Sequence, residues 1–181
     1  MNVFAPFTGM LLLPDKAPFG SVSPVTLADG RPIATIRWHN WSMSARYEIL
    51  DPVNGAVLAA GSRNGLGSRE FQLTDAWNRP LLSLKLSRWG AARPGTLAVV
   101  GGRPLTTQGN WTARQFTVTD EQQRPVARIV NNSPLLSLRP DGLVFELMAP
   151  VMSVVHAIGL AQSMRAAVES ERGSGVSISF G

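Results

Sequence analysis

One pattern of residues occurs twice in the sequence, as FQLTDAWNRPLLSL from residue 71 and as FTVTDEQQRPVARI from residue 116. In both copies apolar and polar residues alternate before an Asp and again after an Arg-Pro pair, which is typical of strands with one buried face. Asp favours turns through its side-chain carboxylate, and Pro is tolerated at the first residue of a strand. Each copy therefore predicts a β-hairpin whose turn starts at Asp75 or Asp120 and whose second strand starts at Pro80 or Pro125.

Two looser versions of the hairpin pattern extend this prediction along the chain. The segment VTLADGRPIATI, residues 25–36, keeps the Asp and the Arg-Pro pair, and YEILDPVNGAVLAAG, from Tyr47, turns at an Asn-Gly pair. The pattern alone gives roughly a dozen strands. Because the spacing and the turn lengths vary, we expect a meander that folds one sheet back on itself rather than a regular solenoid.

The composition limits the domain organisation and several kinds of chemistry. The chain has 181 residues, of which 44% are hydrophobic and 16% charged, so we expect a single globular domain over residues 1–181. Cysteine is absent, which excludes disulfides, thiolate metal sites and cysteine nucleophiles. The N-terminal stretch lacks a basic region followed by a continuous apolar run, so we expect no signal peptide and a cytoplasmic protein.

The last third of the chain predicts a helix over about residues 150–170. Pro150 suits a first helical position and Gly173 suits a C-terminal stop. Residues 151–164 are apolar or small on almost every side of this helix, a pattern found in helices buried in a core and in helices that span a membrane. Because the segment contains Pro150, His156 and many small residues, we expect it to fill the interior of the folded sheet rather than a bilayer.

The C-terminal tail, residues 174–181, has a pattern of its own. VSISF alternates apolar and polar residues after a Gly-Ser-Gly hinge. This predicts a further strand, which either closes the sheet or pairs with a neighbouring chain by strand addition. The alternative is a frayed terminus.

Taken in order, these sequence segments resemble the tubby C-terminal-like superfamily, and within it the branch of phospholipid scramblases and LURP-one-related proteins. The segments that carry the resemblance are YEILDPVNGAVLAAG, FQLTDAWNRPLLSLKLSRW, FTVTDEQQRPVARIV and LVFELMAPVMSVVHAIGLAQ, which span about residues 47–165. The resemblance implies a mainly β fold, a closed, roughly twelve-stranded antiparallel β-barrel around a buried central C-terminal helix. That architecture agrees with the hairpins and the buried helix inferred from the residues themselves.

The chain departs from this family at several functional features. Scramblases have an acidic cluster around the start of the terminal helix, taken as a calcium site, whereas residues 148–152 here read MAPVM. Calcium requires oxygen ligands, so we expect no metal, and no pattern indicates a cofactor. The cysteine-rich palmitoylation segment of scramblases has no counterpart, and the phosphoinositide-binding residues of tubby proteins have no matching motif here.

Nothing in the sequence indicates a reaction. The two histidines are His39, in RWHNW, and His156 on the apolar helix, where we expect a hydrogen-bonded core residue. No Gly-x-Ser-x-Gly elbow, His-Glu-x-x-His helix or P-loop occurs. We therefore predict a non-enzymatic protein, and a pocket that joined His156 to a carboxylate such as Glu146 would argue against this.

The resemblance and the charge together suggest binding to acidic phospholipid at a membrane surface. The net charge is +5 and the sequence pI is about 11.0, which favours acidic partners although no basic run concentrates the charge. Some cations alternate outward along predicted strands, and others flank a Trp in SRWGAARPG, a combination suited to an anionic bilayer surface. The candidate headgroup-contacting residues are Lys85, Arg88, Trp89, Arg93, Arg114 and Arg128.

Two other functions fit the same sequence. A protein-interaction or scaffold module would use the exterior of the barrel. The alternative to a lipid-contacting Trp89 is that it packs over the end of the barrel while the arginines are only solvated. A nucleic-acid-associated regulator is the third class, but no strand combines aromatic and basic residues into a stacking platform. Of the three functions, only binding to acidic phospholipid implies that the cytoplasmic protein attaches peripherally to a membrane.

Overall fold

The computed structural model describes the strands and the helix that the sequence predicts. The described residues are 1–14, 22–39, 46–65, 68–87, 94–110, 115–131 and 142–174. Within them, the strands are β1 (Gly9–Leu13), β2 (Val22–Leu27), β3 (Pro32–Trp38), β4 (Arg46–Leu50), β5 (Val57–Arg63), β6 (Glu70–Asp75), β7 (Pro80–Lys85), β8 (Gly95–Val99), β9 (Leu105–Asn110), β10 (Gln115–Thr119), β11 (Pro125–Asn131) and β12 (Leu143–Leu147). The helix is α1 (Val154–Ser174).

The twelve described strands form one closed antiparallel barrel. Each strand pairs with its neighbours in sequence, and β12 returns to pair with β1. Leu11 of β1, for example, lies opposite Leu27 on one side and Phe145 on the other. Closure leaves no unpaired edge among these strands. The predicted barrel is therefore confirmed.

The meander gives the barrel two different ends. The turn end consists of the short connections 28–31, 51–56, 76–79, 100–104 and 120–124, together with residues 148–153 ahead of the helix. The loop end consists of the opposite ends of the strands, such as Arg63 of β5 and Lys85 of β7, and of the C-terminal half of α1. All the other strand connections begin and end there.

The repeated motif builds the same turn in both of its copies. Asp75 Oδ1 accepts a hydrogen bond from the backbone N–H of Arg79 at 2.9 Å, and Oδ2 accepts one from Arg79 Nε at 2.6 Å. Asp120 binds the backbone N–H and the Nε of Arg124 in the same way, at 2.9 Å and 2.8 Å. The Arg of the motif is thus the ion-pair partner of the Asp that opens the turn.

The residue before that Arg has a left-handed backbone in both copies, with φ of 61° at Asn78 and 60° at Gln123. The strand register shifts beside each of these turns. Pro80 and Pro125 begin the returning strands, as predicted. Because each Pro lies where the hydrogen-bonded pairing of the strands is already irregular, its missing N–H costs little stability.

Helix α1 fills the interior of the barrel. From Val154 to Ala167 its side chains are buried on all sides, apart from the half-buried His156, and it contacts β4, β5, β6, β7 and β12. A helix that is apolar all round needs such surroundings, so the predicted buried helix is confirmed. Among the described residues, no helix has the length and apolar character needed to cross a membrane.

The boundaries of the helix differ from the prediction of about residues 150–170. The helix begins at Val154 rather than Pro150, because Ser153 is its N-cap, with Oγ accepting a hydrogen bond from the His156 N–H at 3.3 Å. It continues to Ser174, so Gly173 lies in the last turn, where glycine is tolerated, rather than beyond it. The predicted tail strand within residues 174–181 lies outside the described residues after Ser174.

Two glycines make room for neighbouring side chains in the interior of the barrel. A Cβ on Gly159 would lie 2.6 Å from Leu73 Cδ2, well inside van der Waals contact. A Cβ on Gly61 would overlap the ring of Tyr47, whose hydroxyl donates to the Gly159 carbonyl at 2.7 Å and lies 3.2 Å from Ser163 Oγ. Burial raises the pKa of Tyr47 far above its ordinary value, against a smaller opposing effect of Ser163. The neutral phenol therefore joins β4 to the helix through a buried hydrogen bond.

Candidate functional site

Many charged side chains of the outer wall and the turn end neutralise one another. Pairing across neighbouring strands neutralises the wall, and pairing within single turns neutralises much of the turn end. The wall pairs are Arg37 with Glu48 at 3.2 Å, Lys85 with Glu70 at 3.0 Å and Arg128 with Glu146 at 2.6 Å. The turn-end pairs are Arg31 with Asp29 at 3.9 Å, Arg79 with Asp75 at 2.6 Å and Arg124 with Asp120 at 2.7 Å.

Two of the predicted headgroup residues, Lys85 and Arg128, lie in the described part of the chain. Both side chains project outward, as the alternating pattern predicts, and both are ion-paired with a Glu of the neighbouring strand. Strands β8, β9 and β10 separate β7 from β11, so the barrel does not bring these two cations together. The other four candidates, Arg88, Trp89, Arg93 and Arg114, lie outside the described residues.

Two arginines line the mouth of the barrel at the loop end. Arg63, the last residue of β5, donates from Nη2 to the Ala166 carbonyl of α1 at 3.3 Å. Arg165 of α1 is 8% exposed and donates from Nη1 to the Pro14 carbonyl, just after β1, at 3.0 Å. These two contacts order the guanidinium groups through hydrogen bonds to backbone carbonyls.

Two further arginines lie on the rim of the same end. Arg69 donates from Nη1 to the Ser87 carbonyl at 3.0 Å, across the start of β6 and the end of β7. Arg46 is exposed at the start of β4, and no carboxylate of the described residues pairs with it. The loop end therefore gathers Arg46, Arg63, Arg69 and Arg165 around the C-terminal half of the helix.

The net charge is unevenly distributed between the two ends. The chain as a whole carries +5, but the turn end has one carboxylate more than it has arginines. On the wall the pairs match one acid to one base, so the positive excess belongs to the loop end and to the connections that start there. The turn-end charges are Asp29, Asp51, Asp75, Asp120 and Glu121 against Arg31, Arg79, Arg103 and Arg124.

A depression of about 580 Å³ opens on the outer wall beside Arg46. Ala60 and Ser62 of β5 line it with small side chains. His39 lies at its edge, with Nε2 3.4 Å from Glu48 Oε2. The lining offers a guanidinium, a hydroxyl and an imidazole to a polar ligand, together with the Glu48 carboxylate, which is ion-paired with Arg37.

A larger depression of about 730 Å³ lies at the turn end. It is lined by the turns 100–104 and 120–124 and by residues 149–151, just before the helix. Its charged side chains include Arg103 and Glu121, which are exposed and have no ion-pair partner among the described residues.

His156 is a hydrogen-bonded residue of the helix, as its apolar surroundings predict. Its Nδ1 lies 2.8 Å from Ser153 Oγ, and burial lowers its pKa, against a smaller opposing effect of the Leu81 backbone. Glu146, the carboxylate considered as its partner, is bound to Arg128 on the outward face of β12, and neither depression includes His156 or Glu146. Within the described ranges, no group of three or more His, Asp or Glu side chains is arranged to hold a metal ion.

Sequence reasoning did not predict Arg46, Arg63 or Arg165 as site residues, although a signal exists for two of them. In VLAAGSR the alternating pattern places Arg63 on the same face as the buried Ala59, which is the interior face. Arg165 interrupts a helical segment that is otherwise apolar or small. Arg46 carries no such signal because it begins a strand.

Comparisons with known proteins give a fold and no family. No family description matches the chain, and no curated protein does. Among solved structures, the chain is similar to the X-ray structure of a protein from Arabidopsis thaliana, with a TM-score of 0.57 and 12% identity over 94% of each chain. At that identity the likeness shows a shared fold alone, and a fold does not specify a function.

Proposed function

We propose that the protein binds acidic phospholipid at a membrane surface through the loop end of its barrel. The observation that supports this most is the uneven charge, since a chain of net charge +5 has a turn end with more carboxylates than arginines. A cation close to an anionic membrane contributes roughly 1 kcal/mol. Three or four cations acting together would therefore give weak attachment that is sensitive to salt.

The contacts of the loop-end arginines also favour this function. Arg63 and Arg165 are held by backbone carbonyls at the barrel mouth, so their side chains are ordered before any ligand arrives. Preordered groups lose less conformational entropy on binding. Arg46 stands beside a depression whose lining also contains Ser62, Thr74 and Glu48. A guanidinium next to hydroxyl groups suits a phosphate, and the Glu48 carboxylate is ion-paired with Arg37 at 3.2 Å.

The sequence adds a further argument. The connection between β7 and β8 contains Arg88, Trp89 and Arg93. It joins Lys85, the last residue of β7, to Gly95, the first residue of β8, and both lie at the loop end. The resemblance to the scramblase and LURP-one-related branch implies a function of the same class. Lys85 itself is expected to contribute little, because Glu70 neutralises it.

Vesicle sedimentation tests the proposal. We expect binding to vesicles of phosphatidylcholine mixed with phosphatidylserine, no binding to phosphatidylcholine alone, and weaker binding as salt is added. Arg46→Gln should lower the partition coefficient about fivefold, which corresponds to the loss of roughly 1 kcal/mol. The matched control is Arg31→Gln, which removes the same charge from the turn end and should leave the binding unchanged.

The contribution of the connection between β7 and β8 is tested in the same assay by combining Trp89→Ala with Arg88→Glu and Arg93→Glu. We expect this triple variant to bind more weakly than Arg46→Gln does. If the parent protein ignores anionic vesicles at low salt, or if Arg31→Gln weakens binding as much as Arg46→Gln, the proposal fails. A scaffold function would then be the better explanation of the barrel.

A further inference from the structure

We propose that the depression at the turn end is a binding site for a peptide segment of a partner protein, one that carries apolar side chains between an acidic and a basic residue. This site is separate from the lipid-binding end, because the two lie at opposite ends of the barrel. A barrel attached to a membrane by its loop end would present the depression away from the bilayer. The proposal nevertheless stands on the depression alone and does not require lipid binding.

The lining of the depression is suited to apolar side chains. Leu105 and Val126 are 3% and 5% exposed and Val151 is half-buried, so they form an apolar base beneath the depression. Val100 and Met148, which are next in sequence to lining residues, are 60% and 46% exposed. An exposed apolar surface around a depression is typical of an interaction site.

The walls of the depression are preorganised. Three exposed proline residues contribute to them, and proline has a fixed φ and no N–H group. A rigid wall loses little freedom when a ligand binds, and the proline residues add no hydrogen-bond donor of their own to it. These residues are Pro6, Pro125 and Pro150.

The charges of the lining specify the polar part of the ligand. Asp120 and Arg124 are bound to each other at 2.7 Å within one turn. Arg103 and Glu121 then remain, on adjacent turns, without an ion-pair partner among the described residues. The complementary ligand has one carboxylate for Arg103 and one cation for Glu121.

The same charges argue against a polyanion at this end. A nucleic acid or an anionic bilayer would meet Glu121 and Asp120 in the lining, and the turn end as a whole has more carboxylates than arginines. Like charges brought together weaken binding and exclude wrong partners. A peptide with one charge of each sign satisfies the lining without this repulsion.

The probes for the test are blocked pentapeptides with a Leu-Val-Leu centre flanked by Glu and Lys, made in both orders. Peptides with Gln in place of Glu, of Lys or of both serve for comparison. Titration into the isotope-labelled protein, followed by amide NMR, should give saturable shifts confined to the turns and residues that line the depression. In the peptide whose order of Glu and Lys binds more tightly, each replacement by Gln should weaken binding about threefold, as expected for the loss of an exposed ion pair.

Charge exchange provides the decisive variant. Arg103→Glu should weaken binding of the Glu/Lys peptide, and a peptide with Lys in place of its Glu should recover the affinity. Arg31→Glu, an exposed arginine of another turn at the same end, is the matched control and should behave as the parent protein does. Both are surface substitutions, and a thermal melt checks that each variant is folded.

The proposal is overturned if no saturable shift occurs, if the shifts map outside the depression, or if all peptides bind with equal affinity. It is also overturned if Arg31→Glu weakens binding as much as Arg103→Glu. Because no vesicle is present, these outcomes are independent of the lipid assay. Arg103→Glu is in turn expected to leave sedimentation with anionic vesicles unchanged.

Discussion

At the scale of single residues, Gly159 shows how packing overrides helix propensity. Glycine in a helix interior is less favourable than alanine by about 1 kcal/mol, so propensity alone favours a substitution at this position. The missing side chain is needed because Leu73 of β6 occupies the space where a Cβ would lie. The small residues of the helix predict a tight fit from sequence, but the identity of the opposing side chain requires the strand register.

Gly159→Ala tests this balance. The added methyl must displace Leu73, and overpacking of a core costs about 1–3 kcal/mol, which exceeds the gain in propensity. We expect a lower free energy of unfolding in urea denaturation, and we expect Leu73→Ala to relieve part of the loss when the two changes are combined. A Gly159→Ala protein as stable as the parent would show that Leu73 moves aside without lowering the free energy of unfolding.

At the scale of elements, the Asp-to-Arg hairpin is the unit from which much of the barrel is built. Its strands and its initial Pro are predictable because alternation and turn chemistry are local. The pairing of Asp75 with Arg79 is less evident, since the partner of a charged side chain depends on the path of the turn between them. The helix start is predicted too early for a similar reason, because Ser153 and Pro150 are both acceptable near a helix N-terminus and only the hydrogen bond to His156 decides between them.

The turn geometry predicts a stability that falls in acid. Desolvation raises the pKa of Asp75, but the backbone N–H and the guanidinium of Arg79 outweigh it and hold the pKa below the ordinary value of 3.8. Arg124 has the same effect on Asp120. A carboxyl whose pKa is lower in the folded state stabilises the fold when ionised, so this contribution is complete at neutral pH and declines as the pH falls below about 4.

Urea denaturation across this pH range measures the effect. The combination of Asp75→Asn and Asp120→Asn should lower stability at neutral pH and flatten the decline in acid. Asp29→Asn is the control, because Asp29 lies in an exposed turn where the Arg31 guanidinium is 3.9 Å away and only the Arg31 backbone N–H, at 2.9 Å, is within hydrogen-bond distance. An acid decline that is as steep in the double variant as in the parent would contradict this role of the turns.

At the scale of the whole molecule, the meander converts sequence order into two chemically different ends. Every connection from an even-numbered strand to the next lies at the turn end, and the Asp turns and their paired charges lie there. The other strand connections lie at the loop end, which carries the excess of positive charge. This polarity cannot be derived from composition, because it depends on the direction in which each strand runs. Alternation correctly predicts that Lys85 and Arg128 point outward, but only the register shows that each opposes a Glu.

The orientation of the barrel at a membrane is the central claim, and site-specific labelling tests it most directly. The chain has no cysteine, so single cysteines can be introduced by Asn64→Cys at the loop end and Val53→Cys, which is 92% exposed in the parent, at the turn end. Each is labelled with a polarity-sensitive fluorophore and mixed with vesicles that contain phosphatidylserine. The account predicts a blue shift for the label at position 64 and none for the label at position 53. Equal shifts at both positions, a shift at position 53 alone, or no shift at either would contradict it.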